Sequence, residues 1–299
     1  MTVPSPVSAS EPAAPYGADL QLHSSASDGS DAPSEVVRRA AAIGLRTIAL
    51  TDHDTMAGLS EAREAAREDG IELIPGVELS ALEGRRQIDI LGYGMDPDDE
   101  VFGSELARIR GGRLGRAWDM VEQLNALGYE VSWERVQELA GSENVGRPHV
   151  ARAMVEAGVV PTIADAFTPE FIADGGRCYV ERVKISPAEA IARIGAAGGV
   201  AVAAHPGRTG LTDDDIARLA RAGLGGLEVF YPQHDEAMTE RFAALAALHG
   251  LLVTGGSDDH GDVNEGRRMG SIRLPDPHVD ALRSAISALP RRTPRAMSR

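Results

Sequence analysis

The chain has 299 residues, 43% of them hydrophobic and only 4% aromatic, with 30 basic against 45 acidic side chains for a net charge of −15. That apolar share supports a core and excludes global disorder, while the acidic balance argues against a general duplex-binding surface. The single cysteine, Cys178, excludes an internal disulfide and a cysteine-rich zinc site, and fits a reducing cytoplasm.

Residues 1–17 are dominated by Pro, Ser and Ala, with no basic start and no apolar run, so they read as a flexible tail rather than a signal peptide. Residues 291–299 read as a second tail, and no segment approaches the length of a membrane span. The first strand, Ala18–Leu22, alternates polar and apolar and carries Gln21, then delivers His23 and Asp28 into a small-residue loop. Pro33 opens a helix where a missing N–H does no harm, and Gly44 ends it. A buried strand, Arg46–Leu50, runs into Thr51-Asp52-His53-Asp54, and a helix follows from Met56 to Asp69. A third strand, Ile71–Ile74, is expected to stop at Pro75-Gly76 and present Glu78; a fourth, Gln87–Leu91, carries Asp89 in its middle.

From 97 to 171 strands vanish and charged helical patterns take over, which reads as a helical insertion with apolar faces of its own. One helix is expected from Phe102 to Leu127, with Gly111-Gly112 as a candidate break, and shorter ones around Trp133–Leu139, His149–Glu156 and Thr162–Phe167. The βα rhythm then resumes over 172–290, after its first part in 18–96. Ser186-Pro187-Ala188-Glu189 is a capping box, and Val200–Ala204 is a strand ending at His205-Pro206-Gly207. Thr212–Asp215 caps the next helix, and the strand Gly226–Phe230 opens onto Tyr231-Pro232-Gln233-His234. A helix from Asp235 to His249 and a strand, Leu251–Thr254, lead to Ser257-Asp258-Asp259-His260; a short strand, Ser271–Leu274, and a helix through Ala288 finish the pattern.

Nearly every His, Asp or Glu named above falls at the end of a strand that precedes a helix. In parallel α/β architectures those ends converge on one face, which carries the chemistry. Each residue has an ordinary explanation by itself: His53 or His205 as a hydrogen-bonded ring, Glu78 or Asp258 as a helix cap. Their recurrence in register does not, and imidazole with carboxylate is a donor set for divalent ions. His149, His249 and His278 fall on helices or near the tail and read as structural.

The motifs D-L-Q-L-H-S-S-A-S-D-G, T-D-H-D-T, G-V-E-L-S, I-D-I-L-G-Y-G, G-R-P-H-V-A-R, A-H-P-G and S-D-D-H-G resemble, in order, those of the PHP (polymerase and histidinol phosphatase) metallophosphoesterases. The resemblance is strongest to the branch acting on nucleoside 3′,5′-bisphosphates and RNA 5′ ends. It implies an α/β fold, a distorted seven-stranded (β/α) barrel with a helical insertion, and two or three divalent ions. It further implies Gln21, His23 and Asp258 on one ion, Asp89 and His205 on a second with Glu78 bridging, and Asp28, His53 and His260 on a third. Gln21 and Asp89 stand where the family usually has histidine, so oxygen replaces nitrogen. That favours manganese or magnesium over zinc, with iron also admissible.

Hydrolysis by metal-activated hydroxide also needs cations for the remaining phosphate oxygens. Arg147 is the first candidate; His234 is a second that also serves as an acid for the leaving group, and Arg116 is a third. Glu78, His234 and Arg147 make the expected catalytic set, Arg116 is expected only as a phosphate contact, and the helical insertion is expected to lie over them as a lid. The expectation is a cytoplasmic phosphoesterase for a small nucleotide or oligonucleotide, binding neither duplex DNA nor membrane. A non-catalytic metal or nucleotide sensor, and a phosphatase for a sugar or amino-alcohol phosphate, are the competing readings.

Overall fold

A computed structural model describes residues 17–141, 145–180, 185–263 and 268–289. Its strands are β1 (Ala18–Leu22), β2 (Thr47–Leu50), β3 (Glu72–Glu83), β4 (Arg86–Tyr93), β5 (Val200–Ala203), β6 (Gly226–Phe230) and β7 (Leu252–Gly255). They form one seven-stranded sheet in sequence order, parallel except that β4 runs antiparallel to both β3 and β5. Closure follows from two sets of backbone bonds across the gap between the first and last strands. Near the C-terminal ends, Asp258 N–H donates to Gln21 O (2.9 Å) and His23 N–H to Asp259 O (2.9 Å). At the opposite end Ala18 and Leu274 exchange N–H···O bonds of 3.1 and 2.8 Å. The expected strand at 271–274 is therefore a correction: only Leu274 pairs, as an isolated bridge that ties off the barrel.

The helices α1 (Pro33–Ala42), α2 (Leu59–Asp69), α8 (Asp213–Arg221) and α9 (Glu236–His249) follow strands and, with α7 (Pro187–Ala196), which precedes β5, cover the barrel. α1 starts at Pro33 and buries Val36, Val37 and Ala40; α2 buries Leu59, Ala62, Ala65 and Ala66 and ends at Gly70 with φ +68°. Four-residue β2 and β5 are buried throughout, as strands covered on both faces must be. The packed layer of Val37, Ile48, Leu50, Ala66, Ile194 and Leu227 is one continuous core. A last helix, α10 (Asp276–Ala288), adds Val279 and Leu282 to a second cluster with Leu20, Tyr93 and Val202.

β3 does not stop at Pro75-Gly76 but continues to Glu83. Up to Pro75 it pairs with β2, and from Gly76 onward with β4. Proline has no N–H to lose where the strand changes partner. A Cβ on Gly76 would lie 2.8 Å from Leu50 O, so the close approach needs glycine. Glu78 and Asp89 consequently sit inside an antiparallel hairpin, rather than at strand termini.

Between β4 and α7 lie α3 (Glu100–Ala126), α4 (Trp133–Ala140), α5 (Arg147–Glu156) and the short α6 (Ile163–Ala166). They carry a separate core in which Met120, Leu124, Val136, Val150, Met154 and Ile172 are buried. The two glycines 111 and 112 do not break α3. Each costs about 1 kcal/mol against alanine, less than burial of Phe102, Leu106, Met120 and Leu124 along the same helix returns. No helix among the described residues is long and apolar enough to cross a membrane.

Candidate metal centre

The sequence places His23, His53, His205, Asp258 and His260 just beyond strands, while Glu78 and Asp89 lie in the β3–β4 hairpin. The barrel brings all of them together. Glu78 is central: its Oε1 lies 3.1 Å from His205 Nε2, and its Oε2 lies 3.2 Å from His23 Nε2 and 3.6 Å from His53 Nδ1. Asp258 Oδ1 is 3.3 Å from His23 Nε2, and Asp28 Oδ1 is 3.4 Å from His260 Nε2. The donor atoms fall into three groups, each with all atoms within 4.8 Å of one another: His23, Asp28, His53 and His260; His23, Glu78 and Asp258; Glu78, Asp89 and His205.

The backbone is bent to achieve this. Asp54, His205 and Asp258 have φ of 52°, 31° and 55°, a region that side chains other than glycine's rarely enter. Supporting hydrogen bonds hold them there. His205 N–H donates to Glu228 Oε2 (2.7 Å), and Asp54 Oδ1 accepts from Ser80 N–H (3.1 Å). Asp258 Oδ2 accepts from the Tyr231 hydroxyl (2.9 Å). Asp52, between the strand and the His53 turn, accepts from Ser24 N–H and from the hydroxyls of Ser24 and Ser27 at 2.6–2.8 Å. It thereby fixes the loop that carries Asp28. Asp19 accepts from Ser257 and Gly270 N–H across the barrel seam; burial pushes its carboxyl up to about 6.

Sequence reasoning missed these supports: Asp19, Asp52, Glu228 and Tyr231 look like any strand or loop polar residue. Full burial marks them as important, and burial of a single carboxylate is not readable from a sequence.

The donor set fits divalent cations. His23 is buried, yet neither ring nitrogen has a hydrogen-bond partner, because the neighbouring carboxylates approach without hydrogen-bond geometry. Buried polar atoms left this way are rare and costly. His205 Nδ1 and Gln21 Oε1 are buried and unpartnered too. Gln21 turns its amide nitrogen toward Glu78 Oε2 at 3.3 Å; a half-turn of the amide would present the oxygen instead.

The charges agree with the geometry. Burial would raise Glu78, but His53, His205 and His23 outweigh it and hold the carboxylate well below its usual range. Burial would lower His23, yet Asp258 and Glu78 hold it well above. Asp89 is raised, by burial first and then by the charge of Glu78. A buried carboxylate such as Glu78, held ionised only by the positive charge around it, is one that a cation can bind.

A cleft of about 740 Å³ opens over Asp28, His53 and Ser80, with Gln87 and Arg85 of the β3–β4 hairpin on one side and Arg116, Arg147, Phe167 and Tyr179 of the helical segment on the other. Arg147, the first residue of α5, bonds Asp174 at 2.5 Å and has the rings of Phe167 and Tyr179 each 5.8 Å from its guanidinium carbon. Arg116 donates to Val180 O and lies over Tyr179. Burial, and then the charge of Arg147, depress its pKa, so two like charges share the cleft wall. Such a pair suits an anion.

His234 is the exception among the expected residues. Its Nδ1–H donates to Val229 O (2.9 Å) and its Nε2 accepts from Gly207 N–H (3.1 Å). Both nitrogens are occupied by backbone, and the ring does not line the cleft. Because it pins the His205-Pro206-Gly207 turn, it has neither a proton nor a lone pair to spare for a phosphate.

A barrel of this topology, with nitrogen and oxygen donors gathered beside a basic cleft, defines a metal-dependent hydrolase of the phosphoester type. The PHP domain model matches residues 19–142. A 3′,5′-nucleoside bisphosphate phosphatase of Chromobacterium violaceum is 38% identical over 257 residues, covering 84% of this chain and 90% of that protein. A 5′-3′ exoribonuclease of Escherichia coli K12 is 36% identical over 248 residues, covering 81% of this chain and 84% of that protein. A crystal structure from Bifidobacterium adolescentis, assigned as a metal-dependent phosphoesterase, superposes with a TM-score of 0.79 at 36% identity over 92% of this chain and 98% of that one. The chain belongs to the PHP family.

Proposed function

We propose that this enzyme, a metal-dependent phosphoester hydrolase, removes phosphate from a nucleoside 3′,5′-bisphosphate or a nucleotide from the 5′ end of a short RNA. The observation that carries the reading is Glu78, one buried carboxylate shared by two donor groups and 3.6 Å from His53, which lines a cleft walled by arginines. Gln21, His23 and Asp258 would hold one ion, Asp89 and His205 a second, and Asp28, His53 and His260 a third, with Glu78 available to the first two. Manganese suits the oxygen-rich set best. When bound by these residues, divalent ions would supply an acidified water and polarisation of the phosphoryl oxygen.

The chain's own groups do the rest. Arg147 and Arg116 bind the phosphate oxygens that face away from the ions, and the Arg147 guanidinium does so with two parallel bonds. Tyr179 and Phe167, already against that guanidinium, offer a flat apolar wall to a base. The helices from α3 to α6 act as a lid that admits small or end-positioned esters and excludes a continuous duplex. The relatives' activities and the net charge support this substrate class, and the one buried cysteine suits a cytoplasmic setting.

The test is phosphate release from a panel: a nucleoside 3′,5′-bisphosphate, a 5′-phosphorylated tetranucleotide, a pentose phosphate and an amino-alcohol phosphate, each with manganese. Preference for the first two by at least about tenfold in kcat/KM is expected. Equal rates on all four would sink the nucleotide reading, and no hydrolysis with bound manganese would favour the sensor.

A further inference from the structure

β4 places Gln87 and Asp89 two residues apart, so both side chains leave the same face of the strand. Gln87 is exposed at the cleft, and Asp89 lies fully buried behind it. The Gln87 amide nitrogen donates to both oxygens of that carboxylate, at 2.9 Å from Oδ1 and 2.8 Å from Oδ2. Near-equal distances put the nitrogen close to the bisector of the carboxylate. That is the seat a cation occupies when a carboxylate grips it with two oxygens.

We infer that Gln87 is a positioning residue that confines Asp89 to one-oxygen ligation of the ion shared with Glu78 and His205, and so selects against calcium. The inference rests on the metal reading given above. It uses a general difference between ions: calcium takes more oxygens, often both from one carboxylate, whereas magnesium and similar ions hold near-octahedral sets with single oxygens. The amide is neutral, so it blocks the outer face of Asp89 without cancelling its charge. It reaches the carboxylate from the cleft side, which leaves an oxygen for Glu78 and His205 on the inner side.

Histidine at position 89 would have needed no such restraint, because an imidazole nitrogen cannot chelate. With aspartate there, ion selectivity depends on what occupies the second oxygen. Gln87 is thus the residue through which this chain keeps the coordination of the hairpin site low.

The experiment titrates metal-free protein with manganese and with calcium by calorimetry, and follows calcium displacement of manganese by the electron paramagnetic resonance of Mn²⁺. The variants are Gln87→Ala, which removes amide and bulk, and Gln87→Met, which keeps the length and loses the donor. In both, calcium affinity is expected to rise about tenfold while manganese affinity moves by less than about threefold. An unchanged calcium-to-manganese ratio in both variants would overturn the inference and leave the metal site standing. Manganese weakening as much as calcium tightens, or more, would overturn it as well, because Gln87 would then be a support and not a filter. Wild-type protein that binds no manganese at all would overturn the metal reading, and this inference with it.

Discussion

Glu78→Gln removes one charge and almost nothing else, which makes it the most informative single change. Glu78 meets His205, His23, Gln21 and His53 at 3.1–3.6 Å and belongs to two of the three donor groups. A unit charge about 4 Å from another in a medium of effective dielectric about 20 contributes about 4 kcal/mol. If the amide oxygen retained in glutamine and a recruited water restore half of that, about 2 kcal/mol is lost per ion, or about 30-fold in affinity. On the proposed reading two ions would share the residue, so occupancy of the paired site should fall about 10³-fold, and hydrolysis with it. Calorimetric manganese titration reads the first quantity, and phosphate release from a nucleoside 3′,5′-bisphosphate reads the second. The third group, Asp28, His53 and His260 with His23, should keep its ion. A variant that binds the full complement of manganese, and hydrolyses within tenfold of the wild type, would refute the idea that Glu78 is shared.

Arg147→Ala should raise KM for a nucleotide substrate about 10- to 100-fold, as expected for loss of a charge-assisted phosphate contact, and Arg147→Lys should not restore it. Its melting temperature should hardly move, since the Asp174 pair is partly exposed and such pairs contribute little; a large loss of stability with unchanged KM would reverse the assignment. His234→Ala should cost about 1–3 kcal/mol of stability through its two backbone hydrogen bonds. The same variant should leave the shape of the pH–rate profile intact, and disappearance of one limb would restore His234 as an acid. In the metal-free protein His23 titrates above 6.5, so its stabilising charge is fully present below that pH and is lost as the pH rises through its folded value. Manganese must displace that proton, so manganese affinity should rise with pH across the same window, with proton release measurable in buffers of different ionisation enthalpy. Affinity independent of pH would mean that His23 is not a ligand.

The order of the strands and the run of helices between β4 and α7 were readable because each depends on local pattern. Alternation gave β1, a short buried run gave β2, a continuous apolar run gave β5, and Ser186 with Glu189 marked the start of α7. Local pattern misleads where a tertiary partner decides. Pro75-Gly76 reads as a stop, but β3 passes through it because β4 is waiting to pair on the far side. The pair 111–112 reads as a break, but packing along α3 outweighs two glycines. His234 reads as a free strand-end histidine, and only the folded turn shows Gly207 N–H pointing at its second nitrogen.

What the amino-acid sequence determined alone was which donor types exist and that they recur beside strands, because side-chain chemistry and periodicity are properties of the chain itself. Only the tertiary structure decided that Glu78 stands between two donor groups and that Asp19 and Glu228 are buried supports. Those facts are distances between atoms up to about 240 positions apart, and closure of the barrel, through bonds such as Asp258 to Gln21, is what sets them.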